Sequence, residues 1–178
     1  MRDLELLAEL TGDVADQIRR AVADLDEKAL GWRPDPGANS IGVTVWHVAR
    51  WLDVLCVRVL EERAATDELW HVDGWARRTA YDPRGVGFGG LGAITVYSQA
   101  EVERVPRLKA EELLAYLDSA ARALRARLLG SDLPPLDATP AQLPGQRTRF
   151  FWVKTTIEGC LGHVGEIRAL AAMRERTS

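Results

Sequence analysis

The run IGVTVWHVARWLDVLCVRVLEER, which begins at Ile41, constrains the fold more than any other stretch of this chain. Its length and spacing predict a helix over about residues 41 to 64, apolar nearly all round for roughly its first five turns. A helix apolar on every side cannot face water and must be wrapped by other elements. The rest of the chain therefore has to supply the wrapping.

Three further stretches carry one-sided helical periodicity. Leu4, Leu7, Val14, Ile18 and Leu25 mark a stripe on a helix over about 2 to 27. Leu113, Leu117, Leu124 and Leu128 do the same over about 109 to 129, with Glu111 and Glu112 early and Arg122, Arg125 and Arg127 late, as the helix dipole favours. Val153, Ile157, Cys160, Val164, Ile167 and Ala171 line a helix over about 149 to 174. Four helices joined by two long connections predict an all-α four-helix bundle, one domain over residues 1–178.

The connections read differently. GWRPDPGANS (31–40) cannot continue a helix, and Asn39 or Ser40 suits the N-cap of the next one. Residues 67–106 are rich in glycine and aromatics, with GAITVYS as a short extended piece. A loop this long in a compact domain is usually functional. Within it GVGFGG (85–90) fits G-x-G-x-x-G, but no strand precedes it and no helix opens on it, so it reads as a flexible turn and not a dinucleotide site. Residues 131–146 form the second irregular connection.

Composition excludes several classes. A net charge of −3 with no basic block lacks the footprint of a nucleic-acid binder. No run approaches the ~18 apolar residues of a membrane span, and the N-terminus lacks signal-peptide order. Cys56 and Cys160 sit in apolar helical runs without metal-ligand spacing, the pattern of reduced, buried thiols. These features predict a cytoplasmic protein with neither nucleic acid nor membrane as partner. There is no G-x-S-x-G elbow, P-loop or H-E-x-x-H motif.

The chemistry then falls to three histidines, His47, His71 and His163. At ~100° per residue, His163 lies about 60° to one side of the last helix's apolar stripe, on a flank with Trp152, Thr156, Gly159 and Leu170. It points into a groove at the edge of the core. His47 shares its face with Val43, Arg50, Trp51, Val54 and Arg58. Histidines on facing helices meet across a bundle interior, where they serve either as metal ligands or as hydrogen-bonded core groups. Arg50 and Arg58 on an inward face need a carboxylate, such as Asp53 or Glu166, or an anionic ligand. The six tryptophans are core by default, with Trp70 and Trp75 placed to line a pocket mouth.

The stretches WRPDPGANSIGVTVWHVARWLDVL and GHVGEIRAL resemble the DinB-like (YfiT-like) superfamily of four-helix bundles, over roughly the first 60 and last 25 residues. The resemblance implies an up-up-down-down bundle, a homodimer, and a divalent metal, zinc or nickel, held by three ligands. The histidine of the W-H motif matches His47, and the second member of an H-x-x-x-H or E-x-x-x-H pair matches His163. The first member falls on Gly159, which has no side chain. Glu158 points about 140° away from His163. Glu166 lies further from the apolar stripe and is expected to face solvent or a partner, and His71 is on a loop able to fold over the site.

Three functions follow as expectations. One is a metal-dependent transferase, related to mycothiol-dependent maleylpyruvate isomerase, which moves a small cellular thiol such as mycothiol or bacillithiol onto an electrophilic substrate, with Arg50 orienting a carboxylate. The second is a metal-free small-molecule-binding protein in which Gly159 makes room and the long loop is a lid. The third is a structural dimer with a vestigial site.

Overall fold

A computed structural model of the chain describes residues 2–141, 143 and 145–177, so Gln142 and Pro144 of the second connection lie outside the described residues. It is all-helical. Four long helices form the body: α1 (Arg2–Val22), α3 (Ile41–Val54), α7 (Ala110–Leu129) and α8 (Arg149–Thr177). Four shorter ones decorate it: α2 (Glu27–Leu30), α4 (Leu69–Val72), α5 (Trp75–Thr79) and α6 (Gln99–Glu103). Both α1 and α3 pack against both α7 and α8, so the long helices surround a common core in the order α1–α7–α3–α8. Among the described residues no helix is long and apolar enough to cross a membrane.

The helix predicted to be wrapped is wrapped. Ile41, Val45, Trp46, Val48, Ala49, Leu52, Val54 and Leu55 are all fully buried. Ser40 caps it, its Oγ accepting from the Val43 N–H at 3.3 Å. Its end departs from expectation. Leu55–Leu60 widens into a π-helix, and the chain leaves the helical path at Glu62, whose φ is 52°. Arg149, at the start of α8, holds this end. Its Nε donates to the Val59 carbonyl at 3.1 Å and its guanidinium pairs with Glu62.

The first helix is shorter than its periodicity suggests. It ends at Val22 because Asp26 opens a new helix, accepting the Ala29 N–H at 2.7 Å. The third and fourth helices keep their expected starts and faces, with Leu113, Leu117, Leu124, Leu128, Val153, Ile157, Cys160, Val164 and Ile167 buried.

The segment from 67 to 106 is folded back on the body. Its anchor is Arg50, which has no exposed surface. Nε donates to the Gly92 carbonyl (3.1 Å), Nη1 to Asp53 and to the Tyr116 hydroxyl (both 3.2 Å), and Nη2 to Glu68 (2.9 Å) and the Leu91 carbonyl (3.2 Å). All five N–H groups are used. Burial opposes its charge, but Tyr116, Glu68 and Asp53 outweigh that and raise its pKa further. Asp53 in turn accepts the Leu69 and Trp70 N–H groups at the start of α4 (2.9 and 3.0 Å) and the Tyr116 hydroxyl (2.8 Å). Arg58 faces the other Glu68 oxygen at 3.5 Å. Arg50 therefore serves the fold. Its partners are Asp53 and Glu68, not Glu166, and no donor remains for a substrate carboxylate.

GAITVYS is not extended. Ile94 (φ 68°) and Val96 (φ 62°) take the left-handed conformation that β-branched residues avoid, at a cost on the order of 1–3 kcal/mol each. The glycine-rich stretch before it is not a loose turn either. A Cβ at Gly87 would meet the Tyr97 ring, and one at Gly92 the Pro83 carbonyl. Trp70 and Trp75 are buried in the aromatic cluster with Tyr116, rings stacked 6.2 Å apart, and line no pocket mouth.

Replacing Arg50 by Met strands the Asp53 and Glu68 carboxylates in the core. The expected loss is about 3–5 kcal/mol of unfolding free energy, measured by urea denaturation.

Candidate functional site

α3 and α8 bring His47 and His163 together. Their ring centroids are 4.7 Å apart and the rings meet edge to face at 88°. Both line a pocket of about 210 Å³ with Trp51, Trp152, Thr155, Thr156, Gly159 and Cys160. This is the groove at the core edge that the helical angles predict for His163. The walls are largely aromatic. Trp51 and Trp152 stack 6.4 Å apart at 18°, and Phe88 from the long segment lies 6.2 Å from Trp152.

The hydrogen bonds fix the imidazoles. His47 Nδ1 is 2.5 Å from the Ala93 carbonyl, an acceptor only, so Nδ1 carries the proton. Burial, then the proximity of His163, lowers the His47 pKa to about 4. At neutral pH its Nε2 is thus a bare lone pair. His163 Nδ1 donates to Glu166 at 2.6 Å, and the other Glu166 oxygen accepts from the Thr44 hydroxyl at 3.3 Å. The His163 hydrogen bond pulls the Glu166 carboxyl below its ordinary range. Glu166 thus reaches back to His163 and Thr44 while 39% of its side chain still meets solvent, on the side its helical angle suggests.

The strained segment supplies this order. Ala93 orients His47, and Thr95 accepts from Trp51 Nε1 at 3.1 Å. Leu91 and Gly92, just upstream, are held by Arg50 one turn along α3. Sequence reasoning missed these backbone contacts and the pocket role of Trp51 and Trp152. The tryptophans had a readable signal, since they share faces with His47 and His163.

Other expected groups lie elsewhere. His71 sits on α4, 3.8 Å from Asp82, and does not line the pocket. Cys56 and Cys160 are free and buried, and burial pushes each thiol up to about 12, so neither is a nucleophile at neutral pH. At Gly159 a built Cβ would meet no atom within 4 Å, which leaves open space where the resemblance places a ligand.

The chain belongs to the DinB superfamily, whose family model matches residues 11–167. A crystal structure of a conserved protein from Enterococcus faecalis shares the fold, with a TM-score of 0.74 and 19% identity, covering 94% of this chain and 96% of that one. No curated protein matches the chain. The residues present do not fit the three-ligand metal centre the family implies. The site offers two imidazoles, Gly159 offers no donor, and Glu166 is bound to His163. Among the described residues no group of three or more His, Cys, Asp or Glu is arranged to hold an ion.

The His47 environment has a pH consequence. In the unfolded chain His47 takes a proton at its ordinary 6.5, whereas in the folded chain it resists until about 4. The unfolded state binds more protons in that window, so stability falls as pH drops from 6.5 toward 4. His47→Asn keeps an N–H for the Ala93 carbonyl but cannot titrate. It is expected to remove roughly 3 kcal/mol of that acid-side loss, read from denaturation midpoints between pH 7 and 4.

Proposed function

We propose that this protein binds a compact, largely aromatic small molecule in the pocket between α3 and α8, with no resident metal required. The open space at Gly159 against the two imidazoles carries this reading. An apolar cavity of about 150 Å³ is enough to hold benzene, so 210 Å³ has room for a substituted ring. The aromatic walls supply dispersion contact. The bare His47 Nε2 accepts a hydrogen bond from the ligand, which selects a ring bearing a hydroxyl over a plain hydrocarbon.

Phenol is the probe. Calorimetric titration is expected to give saturable one-site binding, weaker for toluene, and lost in Gly159→Leu, which fills the space on a face that packs against nothing. A wild-type protein that ignores phenol, or a leucine variant that binds it equally well, overturns the reading.

A divalent cation on His47 and His163 is the second reading, favoured because each Nδ1 is already engaged and each Nε2 is left over, the usual arrangement of metal-ligating histidines. The thiol-transfer activity implied by the resemblance depends on it. Elemental analysis of untagged protein tests it: near-stoichiometric zinc or nickel, lost in both His47→Ala and His163→Ala, supports it. Gly159→His restores the missing donor and is then expected to raise metal affinity at least about tenfold, the scale on which even an outer-shell partner matters. No gain means the two histidines do not share a centre.

A further inference from the structure

A larger cavity, about 660 Å³, opens away from the histidine pair between α2, the first turn of α3 and the connection from α6 to α7. We propose that it is a second ligand site, for an amphiphilic monoanion: a carboxylate-type or phosphate-type head on an apolar body. Nothing in the proposed α3–α8 function depends on it.

The floor is apolar. Leu30, Val105 and Leu108 line it, and each is buried against the core. The walls are low, because Gly31, Ala38 and Gly42 project nothing larger than a methyl group into the space. Gly42 cannot readily be larger, since a Cβ there would sit 3.3 Å from the Leu30 carbonyl. The volume lies in the range of sites that take drug-sized ligands.

The rim is charged. Lys28 from α2, Arg33 from the proline-rich linker and Arg107 from the connection before α7 all line the cavity, and none has an ion-pair partner among the described residues. Arg33 is partly buried along its side chain, and no protein acceptor among the described residues meets its guanidinium. Glu27 and Glu103 also border the cavity. Glu103 is occupied by Gln99 Nε2 at 3.4 Å, and Glu27 sits in the first turn of α2, where the helix dipole favours a carboxylate. Three cations against two carboxylates leave the rim one charge positive on a chain whose net charge is −3. One negative charge on the ligand balances the rim, and two overfill it. The Ser40 Oγ accepts from the Val43 N–H, which leaves its own proton to donate. An apolar floor beneath a singly positive rim selects a molecule with both characters, and neither a bare anion nor a bare hydrocarbon satisfies it.

The test is calorimetric titration of the full chain with octanoate, with octyl phosphate to compare heads, octanol to remove the charge and acetate to remove the body. Octanoate is expected to bind at one site, at least about fivefold tighter than octanol or acetate, and to weaken with added salt. The double variant Arg33→Ala/Arg107→Ala removes two guanidinium groups that hold no ion pair among the described residues and is expected to weaken octanoate about five- to tenfold. Gly159→Leu is expected to leave octanoate binding unchanged. If octyl phosphate outbinds octanoate when both are titrated at about pH 5.5, where each is largely singly charged, the head is of the phosphate type; the reverse makes it a carboxylate. Absent saturation, equal binding of octanol and octanoate, or an arginine variant that binds as well as wild type overturns the site. Loss of octanoate in Gly159→Leu also overturns it, by assigning the ligand to the α3–α8 pocket.

Discussion

A guanidinium sealed inside a bundle must find an acceptor for each of its five N–H groups, or the seal costs more than it returns. Arg50 meets that demand with two carboxylates, a tyrosine hydroxyl and two backbone carbonyls. The carbonyls come from a segment with little regular structure of its own. One charged group in the core, with Asp53 beside it, thus fixes much of the path of a long connection. Because His47 and Trp51 flank Arg50 on the same helix, the segment that satisfies the arginine also reaches both of them. The order of the pocket is inherited from the core. The left-handed conformations at Ile94 and Val96 are tolerated for the same reason: surrounding contacts determine the path more strongly than local preference does.

The bundle was legible because its information is periodic. Apolar residues three and four apart report the buried faces of α7 and α8 directly, and Ser40 stands where an N-cap should. The break after Val22 was not legible, since Asp26 looks like any surface aspartate until its side chain is seen capping Ala29. The pairing of His47 with His163 was reachable from helical angle alone. Glu166 was not, because the angle fixes only where Cβ points, and a glutamate has enough freedom beyond it to turn back to His163 and Thr44. Arg50 was read as inward-facing, yet one of its two carboxylate partners, Glu68, belongs to a segment with no periodic signal. Contacts made through main-chain carbonyls leave no trace in side-chain identity at all.

Gly159 leaves the histidine pair open on one side. Glycine in a helix interior costs about 1 kcal/mol relative to alanine. Here no neighbour demands it, since a Cβ would meet nothing within 4 Å. Packing does not explain the residue. The ligand site proposed between α3 and α8 does, because it needs unobstructed room beside two imidazoles.

The carbonyls of Leu91, Gly92 and Ala93 follow one another directly, and each meets a different demand of α3. Any amino acid provides a carbonyl, so these hydrogen bonds do not themselves dictate the side chains; burial at Leu91 and Ala93 and the close approach of Gly92 to Pro83 do. An insertion or deletion of one residue has no such latitude: it would offer Arg50 and His47 the wrong oxygens. These three hydrogen bonds depend on a count of residues, a constraint of spacing that side-chain identity does not express.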